Sequence, residues 1–83
     1  MEDIRQVVKE FILREFLPGE DPANLTDSLE LIRSGILDSL ATLKLVSFLE
    51  ERFGIQLAAH EANPANLSSL ADIVALVQRK QQP

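Results

Sequence analysis

The sequence predicts an all-α fold, a small four-helix bundle with three longer helices, one short helix, and a long loop between the first and second. Three observations carry that prediction. Apolar residues recur at helical spacing in three separate stretches. Pro18-Gly19 and Gly54 stand where the first two stretches end, and between about residues 17 and 38 no sustained periodicity is present. The 83 residues are read as one domain, 1–83, with a small core that buries roughly 60% of the unfolded surface.

In the first stretch Ile4, Val7, Val8, Phe11, Ile12 and Phe16 share one helical face, while Asp3, Arg5, Lys9, Glu10, Arg14 and Glu15 mostly occupy the other. Proline disfavours a helical residue before it and glycine permits a turn, so Pro18-Gly19 ends this helix. The following loop carries Leu25, Leu29, Leu31, Ile32 and Ile36 as pins to the bundle, with Thr26 or Asp27 capping a single turn through Leu31. The second helix runs from Ser39 to Phe53 and is stopped by Gly54. Thr42, Leu45, Val46, Leu49 and Phe53 form its buried stripe; Leu40, Leu43, Lys44, Ser47 and Glu51 form its outer face. Ile55 and Leu57 anchor a short connector. One short third helix is expected between Ala58 and Ala65, with Asn63-Pro64 breaking it. Ser69 and Asp72 have capping-box spacing, and Leu70, Ile73, Val74 and Val77 trace the last helix. Arg79 and Lys80 complement its dipole, and Gln81-Gln82-Pro83 reads as a frayed tail.

Composition excludes several function classes. There is no cysteine, so disulfides, thiolate metal sites and any protein-borne thiol are absent, and a reducing cytoplasm is the expected location. No apolar run approaches the ~20 residues of a membrane span. A net charge of −5 without a basic patch argues against nucleic acid. Glu20, Asp21, Asp27, Glu30 and Asp38, against Arg33, place a net −4 between residues 20 and 38. That cluster is either a solvated loop or a field that steers a basic enzyme towards the start of the second helix. His60 is the only histidine, with no second histidine or carboxylate at triad or ligand spacing, so neither catalytic nor metal-binding residues are expected.

The chemistry concentrates in Gly35-Ile36-Leu37-Asp38-Ser39-Leu40. Asp38 suits the N-cap, which places Ser39 in the first turn pointing outward, where a helix N-terminus tolerates a phosphodiester. Leu40 and Leu43, one turn apart on the solvated face, are candidate partner contacts, with Asp38, Lys44 and Ser47 beside them. A second Asp-Ser-Leu, Asp27-Ser28-Leu29, is broken by Ser34-Gly35 before a helix can follow, so helix context selects Ser39.

Asp38-Ser39-Leu40 after Gly35, with Leu43, Leu45, Val46 and the closing Glu50-Glu51-Arg52-Phe53-Gly54, resembles the acyl carrier protein family over nearly the whole chain. The resemblance implies an acyl carrier type of bundle in which Ser39 is esterified by phosphopantetheine donated by coenzyme A. It also implies a non-catalytic monomer that holds acyl or aminoacyl groups as thioesters. Its partners would be a phosphopantetheinyl transferase, which Asp38 helps engage together with its metal, an acyl- or aminoacyl-loading ligase, and downstream transferases or synthases. Carriers of fatty acid synthesis usually have acidic residues where this chain has Ala41 and Lys44. The expectation is therefore a stand-alone carrier of a dedicated lipid, polyketide, nonribosomal peptide or aminoacyl pathway. The alternative is an unmodified interaction module that uses Leu40, Leu43 and Phe48 as a hydrophobic patch.

Overall fold

The computed structural model describes residues 3–81. Its elements are α1 (Ile4–Phe16), a single 3-10 turn (Pro22–Asn24), α2 (Ser39–Phe53), α3 (Pro64–Leu67) and α4 (Leu70–Gln81). This is the all-α bundle of three longer helices and one short helix, with the long loop between α1 and α2. The tail expectation for Gln82 and Pro83 lies outside the described residues.

Helix ends follow local chemistry. Asp3, placed on the polar face from the sequence, caps α1 by accepting from the Gln6 N–H (3.2 Å). Leu17 closes α1 by donating its N–H to Leu13 O (3.2 Å), and the chain then turns through Gly19. Gly54 ends α2 at φ 65°, a left-handed conformation that suits glycine.

Val8, Phe11 and Ile12 of α1, Ala41, Leu45 and Leu49 of α2, and Leu70, Ile73, Leu76 and Val77 of α4 converge on one core. Leu67 of α3, Ile55, and the loop residues Leu25, Leu31 and Leu37 complete it. The buried stripe of α2 is rotated from the expected one. Ala41 is buried and Thr42 only half-buried, because the Thr42 hydroxyl turns outward to donate to the Asp38 carbonyl (2.7 Å). Val46 and Phe53 are likewise half-buried at the margin of the core.

The loop is pinned as expected at Leu25 and Leu31, with Leu29, Ile32 and Ile36 half-buried against the core. A turn forms at Asp27-Ser28, where the Leu29 N–H donates to Thr26 O (3.4 Å), and the 3-10 turn at Pro22–Asn24 precedes it. Asp21 caps the 3-10 turn by accepting from the Ala23 N–H (2.9 Å), whereas Asp27 is occupied elsewhere: its carboxylate pairs with Arg5 and its carbonyl accepts from the Ala71 N–H (3.1 Å). The Leu31 N–H donates to Ser68 O (2.7 Å), so the loop is tied to the start of α4 at two points.

Asn63-Pro64 opens α3 where the sequence reading has it break a helix. Asn63 is the N-cap, accepting from the Asn66 N–H (3.1 Å), and Pro64 sits at the first helical position, where its missing N–H costs nothing. Asn63→Ala is therefore expected to lower stability by about 1 kcal/mol in urea unfolding. At α4 the Asp72 N–H donates to Ser69 Oγ (3.2 Å), as the capping spacing predicts. The Asp72 carboxylate accepts from the hydroxyls of Ser69 (3.0 Å) and Ser68 (2.7 Å).

Candidate functional site

The site is built where the long loop delivers the chain into α2. A run of turns folds residues 31–35 back on themselves: the Ser34 N–H donates to Glu30 O, the Gly35 N–H to Ile32 O, and the Leu37 N–H to Leu31 O (2.9 Å). Gly35 adopts φ 86° to make this reversal. Leu37 then inserts into the core at 2% exposure, which fixes the height at which the next residues leave the surface.

Asp38 is the N-cap predicted from the sequence. Its carboxylate accepts from the Ala41 N–H (2.8 Å), and its carbonyl accepts from the Thr42 N–H (2.8 Å) and hydroxyl. Ser39 is thereby the first residue of α2 and is exposed. Among the described residues the N–H groups of Ser39 and Leu40 have no protein acceptor, and neither has the Ser39 hydroxyl. An exposed hydroxyl beside two unpaired, axially aligned N–H groups fits a phosphate ester. The orphan donors and the positive end of the helix dipole stabilise the added negative charge. Part of the Asp38 charge is engaged by the cap, which lessens its repulsion of that phosphate.

Among the described residues Leu40 and Leu43 are the large apolar side chains that the fold leaves in water, 63% and 66% exposed. Lys44 and Ser47 are exposed on the same helix as the two leucines, and Asp38 is exposed at its N-cap. Phe48 is less exposed than the alternative patch requires. It is half-buried and its ring stacks on Phe11, with centroids 4.0 Å apart.

Beside Ser39 lies an open cleft of about 570 Å³ between α2 and the start of α3. Its walls are mostly apolar: Ile32, Leu37, Thr42, Leu43, Ala62 and Pro64. Ile32, Ala62 and Pro64 have no site signature in the sequence and come together only through the fold. The connector carrying Ala62 is held by two carboxylates. Glu50 accepts from the Leu57 N–H (2.9 Å), and Glu61 accepts from the Ala58 N–H (3.0 Å) and the Lys80 ammonium (3.0 Å). The Ala58 N–H, then Lys80, hold the Glu61 carboxyl below its ordinary range.

Ser28 lies exposed in a turn outside any helix, and Asp27 before it is paired with Arg5. His60 is exposed on the connector. Among the described residues no three His, Asp or Glu side chains converge as a metal site, and no helix is long and apolar enough to cross a membrane.

Residues 2–77 match the family model described as "Phosphopantetheine attachment site". The chain is also 37% identical over 68 residues to the probable acyl carrier protein PigG of Serratia sp. (strain ATCC 39006), covering 82% of this chain and 77% of that protein. The match to the family spans α1, the loop, the capped serine, α2, α3 and most of α4. An all-helical bundle that offers an exposed, unpaired serine hydroxyl at a helix N-terminus has the form such an attachment requires. The chain thus belongs to the phosphopantetheine attachment family, non-catalytic carriers whose prosthetic group is covalently bound 4′-phosphopantetheine.

Proposed function

We propose that Ser39 is the attachment residue and that the chain is a carrier presenting acyl or aminoacyl cargo to successive enzymes of a dedicated biosynthetic pathway. The observation that carries the assignment is the first turn of α2: an exposed hydroxyl, two N–H groups without acceptors, and a cap that holds both in place. When bound, the group supplies a terminal thiol that takes the cargo as a thioester, a function that a chain without cysteine has to import.

The protein's own residues attach, orient and present. Ser39 provides the oxygen that receives the arm from coenzyme A through a phosphopantetheinyl transferase. Asp38 fixes that oxygen by capping α2, and its exposed carboxylate stands beside the reacting hydroxyl for the transferase and its metal. Leu40 and Leu43 give transferase, loading ligase and downstream enzymes an apolar foothold within one turn of Ser39. The cleft under Ser39 offers apolar cover along the surface to a chain attached there.

One observation supports a dedicated pathway. From Ser39 to Phe48 the chain has a single charged residue, Lys44, so this face lacks the acidic character that the fatty acid synthesis carriers use. Ala41, the other departure from their pattern, is buried and does not bear on the surface. The likeness to a probable acyl carrier protein favours acyl over aminoacyl cargo.

The test is intact mass after incubation with coenzyme A and an active broad-specificity transferase. A gain of one phosphopantetheine, located by fragmentation on the peptide that holds Ser39, is the expected result. A folded protein that gains nothing, while a control carrier is modified, would favour the unmodified interaction module. Leu40→Glu and Leu43→Glu are expected to keep the fold, because both side chains are solvated, and to lower kcat/KM for loading by about tenfold each, a loss typical of truncated interface anchors. Circular dichroism and loading kinetics on the same samples separate the two effects.

A further inference from the structure

One wall of the cleft beside Ser39 is made by Ala62 and Pro64, which lie in the stretch of connector and α3 from residue 58 to residue 67. Hydrogen bonds in this stretch close on themselves. The Ala62 N–H donates to Ala58 O (3.1 Å), the Ala58 N–H to the Glu61 carboxylate (3.0 Å), Asn66 Nδ2 to Glu61 O (2.9 Å), and Asn63 Nδ2 to His60 O. Among the described residues, the one hydrogen bond or ion pair that ties the stretch to another helix or to the long loop runs from the Lys80 ammonium to the Glu61 carboxylate (3.0 Å).

Burial is as uneven as the bonding. Leu67 is fully buried and Ala62 is half-buried against the core, whereas residues 58–60, Pro64 and Ala65 are exposed. α3 packs on α4, and the cleft separates its first residue from α2. Both flanks are anchored separately: the Glu50 carboxylate of α2 holds the Leu57 N–H, and Ser68 O accepts from the Leu31 N–H (2.7 Å). Residues 58–67 thus form a strap fastened at each end and buckled once between, by a side chain from the last turn of α4. The paired side chains are 23% and 30% exposed, so they keep more of their attraction than a fully solvated pair. Moving the strap outward breaks no backbone hydrogen bond to another element, so the balance between closed and open forms rests on this pair and on the packing of Ala62.

We infer that the Lys80–Glu61 pair is the buckle of this strap and a specificity-determining contact: it holds Ala62 and Pro64 towards α2, so that the cleft covers a slim apolar chain carried at Ser39 and excludes a bulky one. This rests on the reading of Ser39 as the attachment residue. Lys80 and Glu61 are positioning residues, acting on the cleft through Ala62, which follows Glu61 in the chain.

The chain has no cysteine, so spin labels can be attached through Ala65→Cys on the strap and Ser47→Cys on α2, both at exposed positions. Lys80→Met is expected to raise the population of longer label-to-label distances about two- to fivefold. Glu61→Gln, which can still accept from the Ala58 N–H, should match it. Lys80→Arg, and Arg79→Met as an exposed control for net charge, should stay like wild type, with circular dichroism confirming the fold of each. The unlabelled proteins are then loaded from coenzyme A thioesters with an octanoyl chain or a bulky biphenyl acid. A chain seated in the cleft binds only the folded bundle and raises its urea midpoint above that of the unacylated arm. Wild type should gain from octanoyl alone, and Lys80→Met from both chains. Distances alike in wild type, Lys80→Met and Glu61→Gln overturn the inference, as does equal gain from the two chains in wild type, or wild-type selectivity in Lys80→Met. Wild type that stays unmodified beside an active control overturns the carrier reading itself, and the cargo role of the buckle with it. Modification at Ser39 with unmoved distances overturns this inference alone.

Discussion

Ser39→Ala is expected to abolish phosphopantetheine addition outright while leaving the bundle folded. The loss is complete because the hydroxyl oxygen is one of the two atoms joined in the phosphodiester, and no neighbouring group can replace it. Leu40 follows, Asp38 precedes, and Thr42 directs its hydroxyl to the Asp38 carbonyl. The fold is indifferent because the Ser39 side chain is solvated and makes no hydrogen bond among the described residues, and alanine is at least as good a helix former. Ser28→Ala should be modified like wild type, since Ser28 lies in a turn rather than at the start of a helix. Intact mass, with far-ultraviolet circular dichroism on the same samples, decides the matter. Residual modification of folded Ser39→Ala, or its loss in Ser28→Ala, moves the attachment point.

Leu45→Ala should have the largest effect on stability, and it should act without touching the site. Leu45 is fully buried on the inner side of α2, in the core shared by α1 and α4. Removing a buried leucine to alanine costs about 2–5 kcal/mol through lost transfer free energy and the cavity left behind. A domain this size has only about 4–12 kcal/mol in total, so the variant should be marginal or partly unfolded. Leu43→Ala, two positions away and exposed, should change stability by less than about 0.5 kcal/mol. Urea unfolding followed by circular dichroism gives both values. Similar midpoints for the two variants would mean that the two faces of α2 are wrongly assigned.

The site was the most legible part of the sequence because its signals are local. An acidic N-cap, an apolar stripe and a terminal glycine all lie within one helix, so Asp38, Ser39, the exposed leucines and Gly54 could be placed by spacing alone. What escaped was set by competition or by distance. Asn63-Pro64 carries the same residues whether it ends a helix or begins one, and only the Asn66 N–H bonded to Asn63 distinguishes the two. Asp27 is a good cap in isolation but is taken by Arg5 from α1. Thr42 and Ala41 are neighbours on the wheel, and a hydroxyl that bonds the backbone one turn back decides which of them enters the core. The cleft walls Ile32, from the long loop, and Ala62 and Pro64, on either side of the Asn63 cap, are about thirty residues apart and have no common pattern along the chain.

The two backbone hydrogen bonds that fasten the loop to the start of α4, from the Leu31 N–H to Ser68 O and from the Ala71 N–H to Asp27 O, also bear on the order of events during synthesis. Chains emerge N-terminus first at roughly 5–20 residues per second, so Ser39 emerges from the ribosome before Ser68 and Ala71 do. Until they arrive, the loop that lifts Ser39 into place lacks its anchorage, and α2 lacks the helix that covers much of its inner face. If Ser39 is the attachment residue, as proposed, a transferase that needs the capped turn and the two exposed leucines meets its substrate only after the last helix has docked. Modification is then expected to follow completion of the bundle, which would confine the arm to chains that have finished folding.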